Sequence, residues 1–294
     1  MPRVNKAIEL LDQGQPIYYE FVDAVTAGGH AGGRAAGRTW ADYITYDMEH
    51  SAFDVGGLLA FMRGLVDGGP TPSGHRTPAV IVTLPMEGSS EPEVRANAWM
   101  VKQALAAGVH GLLLCHAESP AAVRAFVEAA RYPFNRLGMG AGLGVGRRGN
   151  GGQERAAEIW GLPVADYFES ADPWPLNPAG DLLLGLKIEN VRALASVEAS
   201  LRVPGVAFAE WGPGDMGMSF GYPDRHDEPY PEEMLAARAR VLAACRAAGV
   251  AFLEQVTPDN VCARIAEGVR ICAGRQAREA AEIGRRHTGR AIPW

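Results

Sequence analysis

The sequence predicts a (β/α)8 TIM barrel, and three observations carry that expectation. Eight apolar runs of strand length recur along 294 residues, Ala-rich helical stretches separate them, and ionisable residues gather where several of the runs end. Nearly continuous hydrophobicity is the mark of parallel strands buried on both faces. Strands alternating with helices make a parallel sheet, and a barrel of this kind reaches such a length as one domain. An open doubly wound sheet is the competing arrangement.

The chain opens with "MPRVNKAIELLDQGQP", an amphipathic start with Val4, Ile8 and Leu11 at helical spacing. It lacks the uninterrupted apolar region of a secretion signal, and no run has membrane-spanning length. The runs begin at Ile17, Tyr43, Ala79, Gly111, Leu182, Val206, Val250 and Val269. Among the helices, "ESPAAVRAFVEAARYP" places Ser119 as N-cap and Pro120 at the first helical position, with Val123, Phe126, Val127 and Ala130 as one stripe. "EVRANAWMVKQALAAG" and "PEEMLAARARVLAACRAAG" read the same way, each closed by glycine. Residues 138–180 break the rhythm with a long Gly- and Pro-rich segment, expected to be a lid-like insertion or a subunit contact. Its "GAGLGVG" follows no convincing strand, which argues against a dinucleotide site. A C-terminal helix and tail are expected over 275–294.

Composition narrows the function. A net charge of −6 and a pI near 5.7 give no footprint for nucleic acid or an anionic membrane. Cys115, Cys245, Cys262 and Cys272 lack zinc-type spacing and suit a reducing cytoplasm. The second run ends in "YDMEH", which delivers Asp47, Glu49 and His50 together. The fifth ends in "LKIEN", with Lys187 and Glu189 on one strand face and Ile188 on the other. The sixth ends in "EWGPGDMG", where Gly212, Pro213 and Gly214 turn the chain and present Asp215. Two carboxylates beside such a turn suit a hard divalent cation; equally, each suits the cap of the helix that follows.

Taken in order, "YDMEHSAFD", "RYPFNRLGMGAG", "LKIEN" and "WGPGDMGMSFGYPD" closely resemble the HpcH/HpaI aldolase family of class II pyruvate-type aldolases, related to the citrate lyase β subunit. The likeness runs from about Gln15 to Gly274. It implies a barrel in which Glu189 and Asp215 ligate Mg²⁺, Mn²⁺ or Co²⁺, without an organic cofactor. The cation would chelate a 2-oxo acid such as pyruvate and act as Lewis acid on the developing enolate. His50 would be the general base, with Asp47 and Glu49 shaping its surroundings, and the backbone at Gly212, Pro213 and Gly214 would hold the substrate carboxylate. It also implies a homo-oligomer, trimer or hexamer, with "RQAREAAEIGRRH" packed on a neighbour.

Three departures qualify the resemblance. Thr83 stands where the family strand V-R-x-P supplies an arginine, Ala106 replaces the aspartate of K-Q-x-L-D-x-G that partners the histidine, and Lys187 replaces a glutamine. Removing a cation from an enolate site is costly unless another replaces it, and Lys187 is the candidate; a salt bridge closing the site is the plainer reading. His116, after the fourth run, is a candidate acid, base or ligand. Arg147 and Arg148 in the glycine-rich segment either clamp a substrate carboxylate or are solvated, and with Trp174 nearby they suggest a bulky substrate. His75 and His226 read as loop residues and His287 as part of a basic helix.

The expected function is therefore a metal-dependent carbon–carbon lyase acting beside a 2-oxo or hydroxy acid, with no nucleic-acid or membrane partner. A related decarboxylase, dehydratase or C–C hydrolase is the alternative, given the lost arginine. A non-catalytic binding protein on the same scaffold is the third possibility, against which the joint presence of Glu189, Asp215 and His50 argues.

Overall fold

A computed structural model describes residues 3–224, 227–274 and 276–290; His226 lies outside them. Strands β1 (Ile17–Asp23), β2 (Tyr43–Asp47), β3 (Ala79–Glu87) and β4 (Gly111–Cys115) pair in parallel in sequence order. After a two-residue β5 (Pro173–Trp174) come β6 (Leu182–Ile188), β7 (Phe208–Trp211), β8 (Ala251–Gln255) and β9 (Val269–Ala273). Pairing of β4 with β6 and of β9 with β1 closes an eight-stranded parallel barrel, with β5 as a short flap on β6. Closure removes both sheet edges, which an open doubly wound sheet would leave.

Strand alternation sorts the side chains into two cores. Ile81, Leu113, Leu183, Phe208, Leu253 and Ile271 fill the interior, whereas Ile44, Tyr46, Val80, Val82, Leu112 and Leu114 face the surrounding helices. Helix Lys6–Asp12 inserts Ala7, Ile8 and Leu10 into the inner cluster and plugs the barrel floor, started by Asn5, whose side chain accepts from the Ala7 and Ile8 N–H groups. The three helices singled out in the sequence form as Glu91–Ala106, Pro120–Ala130 and Glu232–Ala248. Ser119 caps the second by position only, its side chain making no cap hydrogen bond.

One expectation about the periphery is corrected. The 138–180 segment is no lid. It joins the C-terminal end of helix Pro120–Ala130 to the start of β6, and both lie at the floor end of the barrel. Its helix Gln153–Trp160 stacks Trp160 on His110, just before β4, and Trp160 Nε1 donates to the Gly108 carbonyl. Trp174 pairs in register with Leu183, at the start of β6 rather than at its chemistry-bearing end. The C-terminal helix, Ala277–His287, is the barrel's own last helix: it packs on β1 and β9, and Arg285 ion-pairs Asp42 of the same chain at 3.2 Å.

Arg131 ties the insertion down. Its guanidinium forks onto Asp172, Nε to Oδ1 at 2.7 Å and Nη2 to Oδ2 at 3.0 Å, with both side chains buried. Replacing Arg131 with Met strands a buried carboxylate, so a loss of about 3–5 kcal/mol is expected in urea unfolding. The double variant Arg131→Met/Asp172→Asn should recover part of that loss; no recovery would mean Arg131 acts through packing instead.

Candidate active site

The polar residues left over from the two cores converge at the C-terminal mouth of the barrel. Asp47 ends β2 with a local device: its Oδ1 accepts the N–H groups of Glu49 at 3.0 Å and His50 at 3.4 Å, turning the chain out of the strand. Its Oδ2 lies 3.1 Å from His50 Nδ1. Asp47 is buried and the His50 ring is mostly exposed, so a fixed carboxylate orients a solvent-facing imidazole. With Nδ1–H donating to Asp47, Nε2 carries the lone pair. Asp47 thus orients the imidazole, a part that the resemblance gives to an aspartate at the position of Ala106. Ala106 ends its helix at the barrel floor, against Gly152, away from the His50 mouth.

Glu189 follows β6 on the inward face, as the strand period requires. The helix after it, Val191–Ala195, is capped by Asn190, whose side-chain oxygen accepts from the Arg192 and Ala193 N–H groups. Glu189 is thus relieved of capping and turns into the site, fully buried. Its Oε1 accepts the His116 backbone N–H at 2.9 Å. Its Oε2 has the Lys187 ammonium at 2.8 Å but takes no hydrogen bond of good geometry, leaving an acceptor available. Gly212 approaches closely: a Cβ there would meet Glu189 Cβ at 3.0 Å and Oε2 at 3.1 Å, so a larger residue would press on the Glu189 side chain.

His116 pays for its place in backbone strain, at φ 45°, the sole non-glycine residue with positive φ among those described. That conformation aims its N–H at Glu189, and its Nδ1 lies 3.2 Å from Asn190 Nδ2 and 3.5 Å from Glu189 Oε1. Lys187 bridges Glu49 Oε2 at 2.7 Å and Glu189. Burial by itself would discharge the lysine, but Glu189, with Glu210 and Glu49 behind it, holds it as a firm cation. Burial conversely raises the Glu189 carboxyl, opposed by Lys187 and the His116 N–H.

Asp215 sits in the first turn of helix Pro213–Phe220, where an acid complements the helix dipole. Among the described residues, two groups bring potential ligand atoms within 4.8 Å of one another: Asp47, Glu49 and His50, and Glu49, Cys115 and Glu189. Asp215 belongs to neither. Thr83 is buried and lines the cavity beside Asp47, its register partner on β2, so the position of the missing arginine does face the site. Arg147 does not. It is exposed on the outer flank, 3.7 Å from Glu128 of helix Pro120–Ala130, and its substrate-clamping role is withdrawn for this chain.

Sequence reasoning missed Glu210 and the buried Cys115. Glu210 shares the inner face of β7 with Phe208 and pairs in register with Lys187. Burial, ahead of the neighbouring acids and against the pull of Lys187, pushes its carboxyl from 4.5 up to about 7. Between those values the folded chain keeps a proton that the unfolded chain has lost, so the stability owed to Glu210 falls as pH climbs through that window. Glu210→Gln should flatten part of the decline in Tm of metal-free protein between about pH 5 and 8. An identical pH profile in the variant would show that Glu210 is ionised throughout.

Paired carboxylates, an oriented imidazole and a clamped ammonium at the strand C-termini define an enzyme of the (β/α)8 class. The chain belongs to the HpcH/HpaI aldolase/citrate lyase family, whose model matches residues 82–273, and it is a lyase. The match starts beyond the Asp47–His50 turn. The chain is 29% identical over 229 residues to a hydroxypyruvate/pyruvate aldolase of Paraburkholderia phytofirmans, covering 77% of this chain and 75% of that one. An HpcH/HpaI aldolase/citrate lyase family protein from Burkholderia cenocepacia shares the fold with TM-score 0.70 and 24% identity, over 96% of this chain and 97% of that chain. So does a citrate lyase β subunit from M. tuberculosis, complexed with oxaloacetate and magnesium, with TM-score 0.52 and 14% identity over 94% and 95% of the chains. Among the described residues no helix is long and apolar enough to cross a membrane.

Proposed function

We propose that the chain is a divalent-cation-dependent aldolase that makes or breaks a carbon–carbon bond next to a pyruvate-type 2-oxo acid. The observation that carries this reading is the buried Glu189 carboxylate. It is fixed by the His116 N–H, pressed against the Gly212 turn, and retains an acceptor on Oε2. Oxygen donors with one open side suit a hard cation such as Mg²⁺ or Mn²⁺. Glu189 would hold it, with Asp215 from the next strand's turn as second ligand. When bound, the cation supplies Lewis-acid stabilisation of the negative charge developing on the oxo oxygen.

The chain's own residues account for the rest. His50, held by Asp47, offers Nε2 to take the proton from the carbon beside the carbonyl and to return it in the opposite direction. Lys187 brings positive charge to the face of the cavity where the family arginine is absent, and Thr83 leaves that face open. The Gly212–Gly214 turn, opening helix Pro213–Phe220, presents backbone N–H groups to the substrate carboxylate. The relative from P. phytofirmans, named for hydroxypyruvate and pyruvate, supports this substrate class. The test is direct: incubate the protein with pyruvate and glycolaldehyde, with and without Mn²⁺, and follow the new carbon–carbon bond by NMR. Metal-dependent adduct is expected. Turnover unaffected by chelator would defeat the metal-dependent reading.

A further inference from the structure

Glu210 is the feature of the cavity that this chemistry leaves unused. It stands beside Lys187 in register and lines the cavity with Tyr19 and Tyr43. Among the described residues it forms no hydrogen bond or ion pair, because the nearby ammonium is held by Glu49 and Glu189. When ionised, it is an acceptor-only group with unfilled capacity facing the space a substrate enters. Asp47 and Glu49 line the same space, and Lys187 is the one lysine or arginine among the lining residues. The carboxyl groups of the wall thus outnumber its lysine three to one.

Resting on the aldolase reading, we propose that Glu210 selects the acceptor aldehyde, favouring a chain that bears hydroxyl or amino donors and rejecting one that bears a second carboxylate or a phosphate. In the bond-forming direction the methyl carbon of pyruvate gives a proton to the base and joins the aldehyde carbon. The aldehyde oxygen gains a proton, and nothing is oxidised or reduced. Glu210 touches none of these atoms. It acts on the remainder of the aldehyde, where a hydroxyl satisfies the carboxylate and a second anion confronts it unpaired.

The test compares kcat/KM for glycolaldehyde and glyceraldehyde with that for glyoxylate and succinic semialdehyde, with pyruvate and Mn²⁺ present. The native chain should prefer the neutral pair by at least ~50-fold, Glu210→Gln should narrow that ratio at least ~10-fold, and Glu210→Asp should keep it within ~3-fold. Because each ratio is internal to one variant, differences in folded fraction cancel. Equal use of anionic and neutral aldehydes by the native chain, or a ratio unmoved by Gln, overturns the inference. Deuterium exchange at the pyruvate methyl group tests the donor half alone. Exchange with an unmoved ratio removes only Glu210's role; no exchange and no adduct with any aldehyde removes the underlying reading as well.

Discussion

Glu189→Gln is expected to lower turnover by at least ~10³-fold and to abolish measurable Mn²⁺ binding, while the protein stays folded. The substitution keeps the shape of the side chain and can still accept the His116 N–H, so the oxygen framework survives. What disappears is a buried negative charge set between a backbone donor and the Lys187 ammonium. A hard cation bound through few protein oxygens depends on that charge, because a neutral amide oxygen compensates little of the cost of dehydrating the ion. Asp215→Asn should act in the same direction. Unchanged Mn²⁺ affinity in both variants, by titration calorimetry, would place any cation elsewhere, and the Asp47–Glu49–His50 group would be the next site to examine.

Lys187→Met should reduce turnover by at least ~10²-fold at saturating Mn²⁺, if its ammonium does the work of the absent arginine. The variant also leaves Glu49 and Glu189 facing each other without their shared cation, so the metal-free protein should lose stability, by about 3 kcal/mol. Added Mn²⁺ should restore that stability and bind more tightly than in the native chain, because the lysine no longer competes for Glu189. Rate and stability then separate: metal rescues folding but not turnover. A full rate in the rescued variant would make Lys187 a structural bridge and return the missing arginine to the centre of the problem.

The barrel was legible because all eight of its strands are apolar runs and most of their helices carry ordinary stop and start signals. Lys187 and Glu189 could be placed on one inward face from the strand period alone, and Ile188 does join the outer core. The same rule, applied to "FAEW", would have found Glu210, since Phe208 and Glu210 are two apart and Phe208 fills the interior. Its acidity drew no attention inside an otherwise hydrophobic run. The 138–180 segment was misplaced for a topological reason. A connection leaving a helix and entering a strand belongs at the barrel floor, however rich in glycine and arginine it is, so chain order outweighs composition here. Asn190's role as cap, which relieves Glu189, depends on side-chain geometry that spacing does not reveal. The strained backbone of His116 is likewise invisible in sequence, because the Glu189 carboxylate that its N–H meets lies 73 positions away.

The most direct test of the central claim is proton exchange at the methyl group of pyruvate in deuterated buffer, followed by NMR with Mg²⁺ or Mn²⁺ and with chelator. It isolates proton removal next to the oxo group and needs no knowledge of the acceptor. Exchange is expected with metal, is lost with chelator, and is strongly reduced in His50→Asn. Absence of exchange in protein shown to bind the cation at Glu189 would contradict the claim, and would direct attention to a different oxo or hydroxy acid at the same mouth of the barrel.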